Sequence, residues 1–290
     1  MSIALVTDST AYLPEEVSTE LGITVVPLQM SADGVSYTEG VDLSDEQLLR
    51  LIKKSRTLTT SRPSPKALLD AYERLAQAGA TEIVSVHLSS ELSGTCDAAT
   101  LAARAAIIPV HVIDSMTMGM TLGHAVITGA RLAATGAETG QVVEAVRGRA
   151  TSGGLLFYVH TLEFLRRGGR IGNASALLGS ALAVRPLLRL EDGRIEVVEK
   201  VRTAGRALAR LVELVGEQAE ASSTPVAVAV HHLQDEERAQ RLAGQLVDRL
   251  GDKLAGDDVW VRPIGAVAAV HLGPGAMAVA ISPEPPRADV

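Results

Sequence analysis

Apolar positions in the first half of the chain follow two alternating rhythms. Short β-branched runs at residues 3–7, 24–28, 82–87 and 110–113 have the length and composition of buried strands. Between them the apolar residues recur at helical spacing. Leu68, Leu69, Tyr72, Leu75 and Ala76 mark one face of a helix that opens at Ser64-Pro65 and stops at Gly79. Ser44, with Gln47 three residues on, forms a capping box for an earlier helix. Two further helices are expected at 119–134 and 139–149. Strands alternating with helices predict a parallel sheet covered on both faces, a three-layer α/β/α unit. Thr151-Ser152-Gly153-Gly154 reads as the hinge that ends it.

The second half has a different pattern. LLFYV from Leu155 is strand-like, and RPLLRLEDGRIEVVEK carries Asp192-Gly193 between alternating apolar positions, which predicts a two-residue hairpin and antiparallel pairing. Helices from Thr203 and from Asp235 enclose the strand PVAVAVHH, and a last pair of apolar runs surrounds HLGPGA. The tail PEPPRADV is expected to be disordered. A chain of 290 residues exceeds one ordinary hydrophobic core. The expected division is an N-terminal parallel-sheet domain over 1–151 and a C-terminal α/β domain with a mixed, partly antiparallel sheet over 152–290.

Composition narrows the function. Hydrophobic residues make up 47% of the chain but aromatic ones only 2%, so any cavity will have aliphatic walls. A net charge of −7, no basic run and few aromatics to stack on bases argue against a nucleic-acid partner. No window approaches a membrane span, and the first residues lack a basic or long apolar leader, so the expected location is cytoplasmic. The single cysteine, Cys96, excludes an intramolecular disulfide and is expected to be buried packing.

Hydroxyl groups crowd the places where the strands of a parallel sheet end, which is where ligands sit in such sheets. Asp8-Ser9-Thr10 follows the first strand, Ser89 to Thr95 the third, and Asp114-Ser115 the fourth, while 59–64 forms a loop into a helix. Ser93, expected at a helix start, could meet an anion with free backbone N–H groups. Singly these residues are ordinary N-caps; their gathering on one edge points to a carboxylate or phosphate. Arg166, Arg167, Arg170 and Arg202 form a second group, suited to acidic surface or phosphate. Gly168-Gly169 serves a tight turn, since no phosphate-loop pattern accompanies it. His231 and His232, adjacent on a strand, point to opposite faces and cannot share a metal; one is expected packed and the other wet. A competing reading is a serine hydrolase with Ser93 as nucleophile, His271 as base and Asp8 or Asp114 as orienter, although no G-x-S-x-G elbow is present.

Five segments together, DSTAYLP from Asp8, TSRPSP from Thr60, SSELSGT from Ser89, VHTLEFLRRGGRI from Val159 and HLGPGA from His271, resemble the DegV family in order and spacing over nearly the whole chain. The resemblance implies a non-enzymatic fatty-acid-binding protein, similar to the binding subunits of bacterial fatty acid kinase, whose partner subunit holds ATP. It implies a bound long-chain acid such as palmitate, stearate or oleate, no other cofactor and no metal, and a free chain that is monomeric. The carboxylate would meet Thr60, Ser61, Ser93, Gly94 and His271 at an interdomain cleft, with Arg170 and Arg202 facing the kinase. The acyl chain would lie in the second domain, for which residues 173–184, NASALLGSALAV, supply small and aliphatic side chains. Three positions depart from the family pattern: His160 where Asp is common, Arg185 where Lys is usual, and Arg62 where an amide is usual; beside Thr60, Arg62 is expected to strengthen head-group binding.

Overall fold

The computed structural model describes residues 2–177 and 185–285. Its first half runs β1 (Ile3–Asp8), α1 (Glu15–Glu20), β2 (Thr24–Val26), β3 (Gln29–Ala32), β4 (Val35–Thr38), α2 (Asp45–Lys54), β5 (Leu58–Ser61), α3 (Pro65–Gln77), β6 (Glu82–His87), α4 (Thr95–Ala103), β7 (Val110–Asp114), α5 (Gly119–Ala134) and α6 (Thr139–Ser152). The second half runs β8 (Gly154–Tyr158), α7 (Glu163–Arg167), β9 (Arg185–Glu191), β10 (Arg194–Val201), α8 (Ala204–Ala221), β11 (Val226–His232), α9 (Glu236–Leu250), β12 (Trp260–Pro263), α10 (Ala266–Leu272) and β13 (Met277–Pro283). A parallel sheet has the order β2-β1-β6-β7, and a mixed sheet the order β10-β9-β8-β13-β11-β12, antiparallel except between β11 and β12. A third, antiparallel sheet β4-β3-β5 comes from residues 29–61.

Local signals set the ends of these elements. Ser44 and Gln47 close a full capping box on α2, and Ser64 accepts the Ala67 N–H ahead of Pro65 on α3. Asp192 and Gly193 both adopt positive φ, 48° and 77°, as a two-residue hairpin turn demands, and Glu191 stands opposite Arg194. The small sheet is the part that apolar alternation did not announce. Its strands QMSA, VSYT and LTTS are short and polar, so Thr60, expected on a loop, stands on β5 opposite Met30.

The parallel sheet is covered by α3 and α4 on one face and by α5 and α6 on the other, the three layers expected. The mixed sheet alternates along each strand. Val226, Val228 and Val230 of β11, with Met277, Val279 and Ile281 of β13, face α8 and α9, whereas Ala229, Ala278 and Ala280 face the core shared with the first half. That shared core exists because α5 touches both sheets: it contacts β1 and β6 on one side and β8, β11 and β13 on the other. Eleven of its sixteen residues are buried. Such an approach needs a smooth helix; at Gly123 a Cβ would lie 2.6 Å from the Ala11 carbonyl oxygen. Residues 151–154, expected as a hinge, are instead the last turn of α6 and the start of β8, and a Cβ on Gly153 would lie 2.5 Å from Thr121 Cγ2.

Two histidines lie in this shared layer. His124 on α5 meets Ser282 Oγ of β13 at 3.1 Å, and His231 on β11 accepts the Met120 N–H at 3.1 Å. Burial, then the charge of Arg149, pushes His124 down to about 3; burial, then Arg262, pushes His231 down to about 3. Both rings are therefore neutral when folded and can protonate only on unfolding. Stability should fall as pH drops below about 6.5, by roughly 2–3 kcal/mol per ring at pH 4.5. Urea titrations of the wild type and of His124→Gln at both ends of that range test this: the variant should show the shallower dependence.

Candidate functional site

One cavity of about 880 Å³, mouth included, lies between α10, the small sheet and the inner face of the mixed sheet. Ile264, Val267, Ala268, His271 and Leu272 line it at helical spacing, so one whole stripe of α10 and the residues before it forms a wall. Opposite, strand register places Ile195, Leu190 and Leu155 in one row across the sheet, and Phe157, Ala278 and His231 in the next. Most of the wall is aliphatic, with Tyr12, Phe157 and His231 among it, and hydroxyl groups and arginines gather at one end.

That end is assembled from four elements. Thr60 Oγ1 on β5 lies 2.8 Å from His271 Nε2 in the last turn of α10. Ser61 and Ser93 line the same mouth. The loop carrying Ser93 is clamped: the Ser89 hydroxyl donates to the Gly193 carbonyl at 2.9 Å, Ser93 N–H donates to the Ser89 carbonyl, and Arg170 Nε donates to the Leu92 carbonyl at 3.0 Å. Gly168 sits so near the imidazole that a Cβ there would fall 2.0 Å from His271 Nδ1. The first glycine of the pair thus makes room for a ring, beyond the turn expected of it.

Burial, then the nearby Arg170 guanidinium, pushes His271 down to about 4, so its ring is neutral at neutral pH. Its Nδ1 is buried without a hydrogen-bond partner. If Nε2 carries the hydrogen and donates to Thr60, the threonine hydroxyl is free to donate into the mouth, beside Ser93 Oγ, whose neighbour is Thr95 Oγ1 at 2.9 Å. The arrangement suits a carboxylate.

Other expected residues are placed differently. Gly94 is the N-cap of α4 and does not line the cavity; its carbonyl accepts from Arg62 Nη1 at 3.2 Å, which ties the two hydroxyl-bearing segments together. Arg170, expected on a surface face, is half-buried and lines the cavity. Arg202 is exposed just past the far end of β10, about 20 Å along the strand from Ile195. The hydrolase reading fails on geometry: His271 bonds Thr60 rather than Ser93, Asp8 bonds His87, and Asp114 accepts backbone N–H groups of Ser90 and Met116. His231 and His232, one of which was expected wet, are both buried, and His232 Nδ1 accepts the Asp235 N–H. His160 packs edge-on against Tyr158, to whose hydroxyl Arg185 donates at 2.9 Å, so these two departures from the family pattern share one cluster. Of the proposed tunnel segment, residues 172–177 form a short 3₁₀ stretch against β10, and 178–184 lie outside the described residues.

Sequence reasoning missed Glu39. Its buried carboxylate takes the Ser9 hydroxyl and, at 2.8 Å, the Val267 N–H, fastening α10 to the end of β1; burial raises its pKa. Nothing in the local pattern marks a single glutamate after a polar strand as buried.

The family match extends over residues 2–284. The chain belongs to the DegV family. A DegV domain-containing protein of Streptomyces coelicolor is 48% identical over 281 residues, covering 97% of this chain and 98% of that one. Two solved DegV structures are similar over 98% of this chain and 100% of their own: a fatty-acid-binding DegV family protein from Thermus thermophilus (TM-score 0.88, 32% identity) and DegV, a fatty acid binding protein from Bacillus subtilis (TM-score 0.89, 31% identity).

Because the Arg170 charge helps hold His271 low, Arg170→Ala should move the ring's titration upward from about 4, toward the ordinary value near 6.5. Imidazole ¹⁵N chemical shifts followed against pH in both proteins give the result directly; an unmoved midpoint would show that the guanidinium does not act on the ring.

Proposed function

We propose that this chain binds a long-chain fatty acid, with the carboxylate at Thr60, Ser61, Ser93 and His271 and the tail in the aliphatic cavity. The observation that carries the proposal is the convergence of hydroxyl and imidazole groups from separate elements, with Arg62 and Arg170 beside them, at one end of a cavity whose remaining wall is mostly apolar. From β10 to β11 the lining residues cross four strand spacings, roughly 19 Å. An extended alkyl chain advances about 1.25 Å per carbon, so that span takes about 15 carbons. Each buried methylene is worth about 0.8 kcal/mol, which places affinity in the tail and leaves orientation to the head. Fatty-acid binding by the Thermus and Bacillus relatives supports the same reading.

Once loaded, the chain acts in the cytoplasm as the substrate-presenting subunit of a fatty acid kinase, in which a separate ATP-binding subunit converts the carboxylate to an acyl phosphate. Residues 1–151 carry most of the head-group segments and 152–290 most of the tail cavity. Arg170 and Arg202 meet the partner, Arg170 from the cavity mouth. A neutral His271 fits this role, because a fully charged grip would hold the head too tightly to pass it on.

Native mass spectrometry of the purified protein, followed by denaturing extraction and lipid analysis, tests the ligand; protein free of any acyl chain and unable to take up stearate would refute the proposal. Thr60→Ala and Ser93→Ala should each weaken carboxylate fixation by roughly 1–3 kcal/mol, read as a loss of preference for stearate over stearyl alcohol. Ala278→Leu places extra volume in the middle of the cavity floor. It should abolish retention of eighteen-carbon acids while sparing shorter ones, and unchanged retention would mean that the tail runs elsewhere.

A further inference from the structure

Beneath the carboxyl edge of the parallel sheet lies a chain of buried polar groups that binding does not use. Tyr72 Oη on α3 is 2.9 Å from Ser85 Oγ, Ser85 Oγ is 2.8 Å from His87 Nε2, and His87 Nδ1 is 3.0 Å from Asp8 Oδ2. All four residues have zero exposure. The Ser85–His87–Asp8 connectivity is that of a catalytic triad, yet no substrate can reach it, and Ser85 is already engaged by a tyrosine.

Its far end explains its presence. The Asp8 carboxylate also accepts Thr10 N–H at 3.0 Å, Thr10 Oγ1 at 2.6 Å and Leu88 N–H at 3.0 Å. With His87 that makes four donors, the full capacity of a carboxylate. Thr10 and Leu88 both line the cavity. From Leu88 the chain turns through Ser89, whose carbonyl accepts the Ser93 N–H at 3.1 Å. A carboxylate accepts only, so His87 Nδ1 donates to Asp8, while Nε2 of the same ring is held by the Ser85 hydroxyl and Ser85 in turn by Tyr72 Oη. Both nitrogens of the His87 ring are thus engaged, which fixes the ring and with it the orientation of Asp8. Buried polar groups of this kind seldom add stability beyond what apolar residues of the same volume would supply.

We propose that Asp8, oriented by His87, Ser85 and Tyr72, is a positioning residue that sets the backbone of the Ser93 loop for recognition of the carboxyl head. The role rests on the fatty-acid reading of the same cavity. Its measure is the ratio of affinities for stearate and stearyl alcohol, obtained by displacement of a fluorescent fatty acid from the full-length protein.

Asp8→Asn, which loses one acceptor oxygen, and Ser85→Ala, which leaves His87 Nε2 without its hydrogen-bond partner, should lower that ratio by about tenfold while alcohol affinity stays within about twofold. Val142→Ala on α6, a comparable core defect remote from the loop, should lower stability and leave the ratio unchanged. If Asp8→Asn does not fold, Ser85→Ala carries the test alone. An unchanged ratio in a folded variant, or an equal fall in Val142→Ala, overturns the positioning role. A wild type with no preference for acid over alcohol would overturn the head-group reading itself, and this inference with it.

Discussion

The placement of α5 between two sheets is the constraint on which the rest of the molecule depends. Each sheet must cover an apolar face, and a single helical layer covers both, so neither half completes its core without the other. The cost is side-chain volume. Gly123 and Gly129 of α5 stand where a Cβ would collide with Ala11 and Val146, and the strands of the mixed sheet that meet the helix present Ala229, Ala278 and Ala280 to the shared core. Beyond the start of α5, where the helix no longer fills the space above that face, a cavity opens over Ala278. A packing solution for the core and a long, mostly apolar cavity thus come from one arrangement.

The polar end of the cavity shows how precision is built on that frame. Thr60, Ser93 and His271 come from an edge strand, a loop and a helix end, none of them rigid alone. Each is fastened elsewhere: β5 by its register with β3, the loop by Gly193, Arg170 and Asp8, and α10 by the Glu39 carboxylate at its first turn. Most of these fastenings are single charged or polar groups bonded to backbone, which fix direction more than they add stability. An acyl chain held by many weak contacts and a head held by a few directed ones is the division of labour such a site allows.

Much of the fold was legible where chemistry is local. Capping boxes, the Asp-Gly turn and runs of β-branched residues act within a few residues of themselves, and the elements they announce are present. The strands of the small sheet were not legible, because QMSA, VSYT and LTTS have neither alternation nor apolar mass, and only pairing with one another makes them strands. At the site, Thr60, Ser61, Ser93 and His271 were named from motifs, and the structure gathers them at one mouth. Gly94, named with them, caps α4 beside Ser93 and does not line the cavity, since neighbours in a motif need not face the same space.

By itself the sequence determined most of the longer helices and strands, the mainly aliphatic character of any cavity and the family to which the chain belongs, because each follows from residue type and spacing along the backbone. Only the tertiary structure decided that Asp8 belongs to a buried relay, that Arg170 lines the cavity, that Glu39 pins α10, and that the two halves share one helical layer. Those facts depend on contacts between residues tens to hundreds of positions apart, and no local pattern of polar and apolar residues encodes which distant partner a buried group will meet.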